Sequence, residues 1–325
     1  MRTVKRRASD NGVQAARRLR RPPPARAAIP PESAATIARM IGRAAALAAL
    51  ALGLLAAPPT ALPALAQIQL QLGSQPAPKP SIDIAPHRAV YQMTLASAKS
   101  GSGLVSASGA LAFEWGDSCD GWTVEQRYKL TLAFSQPEAV EIVTNYATWE
   151  SKDGLKYRFK VRKTRNGKAE ADVAGEAFLA GAGQPGKATY VSPEKTVMDL
   201  PAGTIFPTEH TLVLLRQALA DKTLVKRVVF DGATPDGAAE VNALIGRKLQ
   251  AGKAGAEPLL ARPGWYMRMA YFNIGKSAQG QGEPDYEIGM ELQDNGIARA
   301  IKLDYADFSI KGTLEKVELL PKPPC

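Results

Sequence analysis

From Arg88 onward, apolar and polar side chains alternate with a period of two. Tyr91, Met93 and Leu95 are separated by Gln92 and Thr94; Leu111, Phe113 and Trp115 follow, then Trp122, Val124, Tyr128, Leu130 and Leu132. Successive side chains of a strand point to opposite faces, so this pattern predicts strands with one face buried. Leu155, Tyr157, Phe159 and Val161 interleave with Lys156, Arg158, Lys160 and Arg162, between Asp153-Gly154 and Asn166-Gly167, dipeptides that suit tight hairpins. Further strands are predicted around 188–191, 224–230, 239–245, 265–272, 286–292, 297–305 and 308–319, with Asn295-Gly296 joining two of them. One segment breaks the period. After Phe206-Pro207, Thr208 is placed to cap a helix running to about residue 220, with Leu212, Leu215 and Leu219 on one stripe. Many antiparallel strands and one short helix predict an all-β domain over 85–325, a barrel or curved open sheet around one core.

The pattern ahead of this domain is different. Residues 67–84 carry Gln, Pro and Ser with no aromatic side chain and read as a flexible lead-in. In residues 1–66, Arg39 and Arg43 precede an apolar run over 44–57, and Ala64-Leu65-Ala66 precedes Gln67. A basic stretch, an apolar stretch and a small-residue cleavage site make a secretory signal, with a mature chain expected from Gln67. The run falls short of the roughly 20 apolar residues that span a bilayer. The leader before Met40 is either a long basic region or lies upstream of a true start at Met40, and both leave the same mature protein. No cysteine follows the cleavage site to take a lipid, and the Arg-Arg pairs lack the context of a twin-arginine signal.

Export changes the meaning of the charge. The formal net charge is +10, but residues 1–66 hold 11 of the 41 Lys and Arg and only two of the 31 acids. The remainder is nearly neutral, which gives no support to nucleic-acid binding. Cys119 and Cys325 are left in a compartment that permits disulfides. One intramolecular pairing is available to them, worth up to roughly 5 kcal/mol in the chain-entropy model. Two free thiols are the alternative, weakened by the absence of a Cys-x-x-Cys pair.

Catalytic constellations are sparse. His87 and His210 lie far apart without the spacing of a helical zinc site, no metal or cofactor is called for, and no Gly-x-Ser-x-Gly elbow or phosphate loop is present. Asp304 and Asp307 flank Tyr305 at a strand bend and read as solvated turn acids before they read as a catalytic pair. His210, in the first turn of the helix, reads as a neutral histidine that hydrogen-bonds to hold the helix against the sheet; a ligand or catalytic role is the alternative. The Lys156, Arg158, Lys160 and Arg162 face reads as solvated exterior, with docking of anionic envelope components as its alternative.

Several short stretches, in order, carry a resemblance. They are Ala85-Pro86-His87-Arg88-Ala89-Val90-Tyr91, Ala107-Ser108-Gly109, Cys119-Asp120-Gly121-Trp122 and Thr148-Trp149-Glu150, then Leu200-Pro201-Ala202-Gly203 with Phe206-Pro207-Thr208-Glu209-His210, Val228-Val229-Phe230-Asp231-Gly232 and Asp304-Tyr305-Ala306-Asp307-Phe308. With one early cysteine and one at the end, the chain resembles the EipB-like cell-envelope integrity proteins. The resemblance implies a non-enzymatic periplasmic protein of Gram-negative bacteria, folded as a many-stranded β-spiral, with a disulfide between the positions of Cys119 and Cys325. It also implies a fold similar to lipoprotein carriers, hence an apolar concavity. Trp122, Trp149, Trp265 and Phe272 are candidate lining for that cleft, against the plainer reading of core packing. The expected protein is a monomer that maintains the envelope by binding a protein or lipid; a lipid or lipoprotein carrier and an envelope-polymer hydrolase are the alternatives.

Overall fold

The computed structural model describes residues 82–325 apart from 136–138, 252–257 and 275–281. The expected secretory signal, leader and most of the lead-in lie outside the described residues. The last residues of the lead-in do not: Ile84 is 1 % exposed and part of the core, so folding begins ahead of residue 85.

Strands β1 (His87–Ala98), β2 (Leu104–Asp117), β3 (Gly121–Phe134), β4 (Val140–Ser151), β5 (Lys156–Arg165), β6 (Lys168–Leu179), β7 (Gly186–Ser192) and β8 (Thr196–Leu200) form a meander. The short β9 (Thr204–Ile205) and helix α1 (Pro207–Leu219) follow. A second meander runs through β10 (Leu224–Val229), β11 (Ala239–Leu249), β12 (Gly264–Asn273), β13 (Tyr286–Gln293), β14 (Ala298–Asp304) and β15 (Phe308–Leu319). All fifteen belong to one sheet, with β15 hydrogen-bonded to β1, so the first and last strands pair at its middle. Neighbours are antiparallel except β9 beside β10. The two outer strands, β8 and β9, are consecutive in the chain yet not paired with each other, which makes the sheet a spiral and not a closed barrel.

The turns follow the predicted chemistry. Asn166 and Gly167 have φ of +48° and +73° between β5 and β6, the left-handed pair that a two-residue hairpin requires. Asp153-Gly154 joins β4 to β5, and Asn295-Gly296 joins β13 to β14. Four strands, β4, β6, β8 and β9, go beyond the predicted set. β6 is hidden by its small residues: a Cβ on Gly175 would come within 2.4 Å of the Thr189 carbonyl oxygen and 2.7 Å of the Phe159 ring. Alternation is erased where neighbouring aromatics need the room.

Three apolar clusters fill the interior. One gathers Tyr91, Met93, Leu111, Leu130 and Ile310 from β1, β2, β3 and β15. The second is aromatic: Tyr157 stacks on Phe206 at 4.9 Å, and Phe159, Tyr190 and Phe230 surround them. The hydroxyls of Tyr146 and Tyr157 both donate to the Asp231 carbonyl, which fixes the loop after β10 into the opposite wall. The third cluster packs α1 on β10–β13 through Val213, Leu214, Leu215 and Ala218. Burial of each larger side chain contributes about 1.5–3 kcal/mol.

The helix departs from expectation in two ways. Phe206, not Thr208, is the N-cap residue, with Pro207 in the first helical turn, because the Phe206 ring is anchored in the aromatic cluster. Its buried side chains are Thr208, His210, Val213, Leu214, Leu215 and Ala218, whereas Leu219 is 45 % exposed. A helix enclosed by a curved sheet is covered on more than one side, so a single stripe does not describe it. Cys119 and Cys325 form a disulfide with a Cα–Cα distance of 5.7 Å, which ties the C-terminus to the turn between β2 and β3 and removes the free-thiol alternative.

Candidate functional site

The interior that the helix leaves unfilled is a cavity of about 390 Å³. Its walls come from β1 (His87, Tyr91), β2 (Leu111, Phe113, Trp115), β3 (Val124, Gln126, Tyr128) and β4 (Thr144) on one side. Ile288, Met290 and Leu292 of β13, with Ala298, Ile301 and Leu303 of β14, form the other, and Pro207, Thr208 and Thr211 of α1 close it from above. Cross-strand register orders these residues along the spiral axis. His87 lies opposite Trp115, and Leu292 opposite Ala298, at one end; Ile288 lies opposite Leu303 toward the other. The first end is sealed, with Ile84 packed on Trp115 in the same cluster and the Ala85 N–H donating to the Asn295 carbonyl. At the second end stands Tyr305, 40 % exposed.

Among the described residues, the wall carries no charged side chain. His87 supplies an imidazole to it, and burial lowers its pKa, so it is neutral around pH 7. Its Nδ1–H donates to the Ala85 carbonyl at 2.8 Å, and its ring rests 5.5 Å from Phe113. Desolvation likewise pushes the Tyr91 and Tyr128 hydroxyls well above the ordinary tyrosine range. Trp115 Nε1 and Tyr128 Oη are buried without a hydrogen-bond partner among the described residues, a cost of order 1–3 kcal/mol each while unmet.

The helical roof is held by Glu150 of β4. Its carboxylate, on a residue 2 % exposed, accepts the backbone N–H of Thr208 at 2.7 Å and of Glu209 at 2.8 Å. These are donors that a helix start leaves free, so Glu150 caps α1 from across the spiral. Burial pushes its pKa up to about 7 against the pull of those two hydrogen bonds. His210, one turn in, is driven down to about 4 by burial, with Arg227 adding to the effect. Its Nε2 is buried without a partner among the described residues, and the ring packs within the roof.

None of the four expected cleft aromatics lines the cavity. Trp122 faces inward but packs edge-on against Trp115 at 6.0 Å, with the Lys152 ammonium over its ring. Trp265, 4 % exposed, is core beneath α1. Trp149 lies on the outer face under Arg158 and donates to Ser118 Oγ at 3.1 Å, bracing the turn that carries Cys119. Phe272 pairs across the sheet with Glu240 and joins none of the three clusters. The aromatic lining is instead Trp115, Phe113, Tyr91, Tyr128 and Tyr305. Their alternation was visible; their convergence depends on which strands meet. Lys156, Arg158, Lys160 and Arg162 are exposed, as expected. Asp304 is ion-paired with Lys302 at 2.6 Å and Arg268 at 3.8 Å. No group of acids, histidines or cysteines suited to a metal occurs among the described residues.

A model of the EipB-like family matches residues 78–321. The chain is similar to the cell envelope integrity protein EipB of Brucella abortus (strain 2308), 28 % identical over 246 residues that cover 74 % of this chain and 85 % of the relative. It is also similar to a crystal structure of a β-barrel-like protein of domain of unknown function DUF1849 from Brucella abortus. That structure matches with a TM-score of 0.67 at 27 % identity, over 74 % of this chain and all of the other. The family suggested by the ordered short motifs is the one that matches across the spiral: this chain belongs to the EipB-like family.

Proposed function

We propose that this protein maintains the integrity of the cell envelope from the periplasm by non-catalytic binding, and that its binding place is the interior cavity. The observation that carries this reading is the uncharged wall around about 390 Å³, within the range of roughly 300–1,000 Å³ typical of small-ligand sites. The similarity to a relative named for envelope integrity supports the biological setting. The disulfide and the secretory pattern of residues 39–66 support an oxidising compartment. The wall supports binding over chemistry: its histidine is neutral and engaged with a backbone carbonyl, and its tyrosines are held protonated by burial.

Filling the cavity tests the reading. In a strain lacking the gene, the wild-type allele is expected to restore growth in detergent, while an allele carrying Ala298→Phe, produced at equal level, fails to do so. Full complementation by the filled allele would remove the cavity from the function.

A further inference from the structure

The cavity is graded along its length, and the grading restricts what can enter. At the sealed end His87 is 1 % and Trp115 4 % exposed, whereas Tyr305 at the opposite end is 40 % exposed. An occupant therefore enters past Tyr305 and reaches toward Trp115 and His87. Between those ends the described residues of the wall are apolar or neutral throughout. A charged headgroup in such a place would lose its hydration without a counter-charge, so only an uncharged apolar portion can pass, and the head must stay at the tyrosine end. The Tyr305 ring rests 5.0 Å from Phe308, and Tyr286, two residues before Ile288 on β13, stacks on Tyr271 at 4.6 Å; both Tyr305 and Tyr286 sit near this end. Amphipathic rings of this kind suit the boundary between an apolar tail and a wet head. The volume, about 390 Å³, lies at the low end of small-ligand sites and leaves room for one chain and not for two. The lining runs lengthwise, with side chains of β1–β4 facing those of β13 and β14 from the Trp115 end to the Tyr305 end, an elongated arrangement that suits a linear shape.

We infer that the cavity takes a single linear acyl chain, tail toward Trp115 and head outside Tyr305. This rests on the reading of the cavity as the binding place. The chain could belong to a free fatty acid, a lysophospholipid or an acylated peptide, since all three present the same tail.

The test is displacement of a neutral fluorescent probe, N-phenyl-1-naphthylamine, and of cis-parinaric acid from the purified protein. Fatty acids of increasing length are expected to compete with affinity rising roughly fourfold per methylene until the cavity is full, then levelling off. Ala298→Phe and Ile301→Phe, two filled variants checked for folding by circular dichroism and melting, should weaken competition at least tenfold. Leu224→Ser, at an outer position 75 % exposed, should leave it unchanged and so exclude surface adsorption. Lysophosphatidylglycerol and an N-palmitoyl peptide, assayed beside palmitate, identify the source by which of them binds tightest. Absence of a chain-length dependence, competition undiminished in both filled variants, or equal competition by a two-chain phospholipid or a sterol would overturn the acyl assignment. Saturable probe binding that both filled variants lose, without acyl competition, would overturn it too while leaving the cavity as a binding place; failure of that broader reading is seen separately, in the complementation by Ala298→Phe.

Discussion

Glu150 and His210 are buried within one helical turn of each other's contacts, and each resists its charged form. The Glu150 pKa is about 7, above its unfolded value near 4.5, so the folded state holds that proton more tightly. The associated stability is complete below pH 4.5 and is lost as pH rises through about 7. His210 has the opposite sign. Its folded pKa of about 4 lies below 6.5, so the unfolded state takes the proton first, and stability falls as pH drops from 6.5 toward 4. Each shift corresponds to about 3 kcal/mol at full extent. The expected outcome is read in differences: in urea unfolding between pH 4 and 8, Glu150→Gln flattens the decline on the alkaline side and His210→Gln flattens the decline on the acid side. Parallel curves for wild type and either variant would show that the burial of that residue does not control its proton.

At the scale of elements, α1 is set by what receives it more than by its own pattern. The segment announces a helix through Pro207 and its leucines, but the start is two residues earlier than a cap at Thr208 would give, because the Phe206 ring is locked onto Tyr157 and the capping oxygens come from Glu150. Phe206 is fully buried, and Phe206→Ala is expected to cost about 3–5 kcal/mol in denaturant unfolding. The same substitution releases the helical roof of the cavity. A cost within 1 kcal/mol would mean that the aromatic cluster does not anchor the helix. β6 makes the complementary case: Val173 and Ala177 face inward beside Gly175, and the bulk that would advertise the strand is supplied by Phe159 and Tyr190 of its neighbours.

For the molecule as a whole, an open spiral needs its free edges and its chain ends restrained. The edges β8 and β9 are held near one another by the three residues between them, and the aromatic cluster bridges the gap by packing Phe206 and Phe230 against Tyr157. The last strand is fixed beside the first, and the residues beyond it are tied to the turn after β2 by the disulfide. Closing a loop of this length limits the unfolded chain, so Cys119→Ser should lower stability by about 2–5 kcal/mol, measured in urea against the oxidised wild type. Reduction of the wild type should reproduce the loss; if neither has an effect, the bridge adds nothing to the restraint already given by the β1–β15 pairing.

Alternation, turn dipeptides and a break in period after Phe206 are properties of neighbouring residues, and they were enough for an all-β domain, most of its strands, three of its hairpins and helix α1. The two cysteines and the ordered short motifs pointed to the bridge and the family. Period two cannot say which parity of a strand faces inward, nor which strands adjoin. That is why Trp149 and Phe272 stand among the expected cleft residues and Trp115 does not, although the fold turns the first two outward and Trp115 into the cavity wall. Register between β1 and β15, from opposite ends of the domain, decides where the sheet joins itself. The cap from Glu150 and the uncharged cavity exist only once β4, β13, β14 and α1 have been brought together, because burial and hydrogen bonding across such distances arise from tertiary contact and leave no periodic mark along the chain.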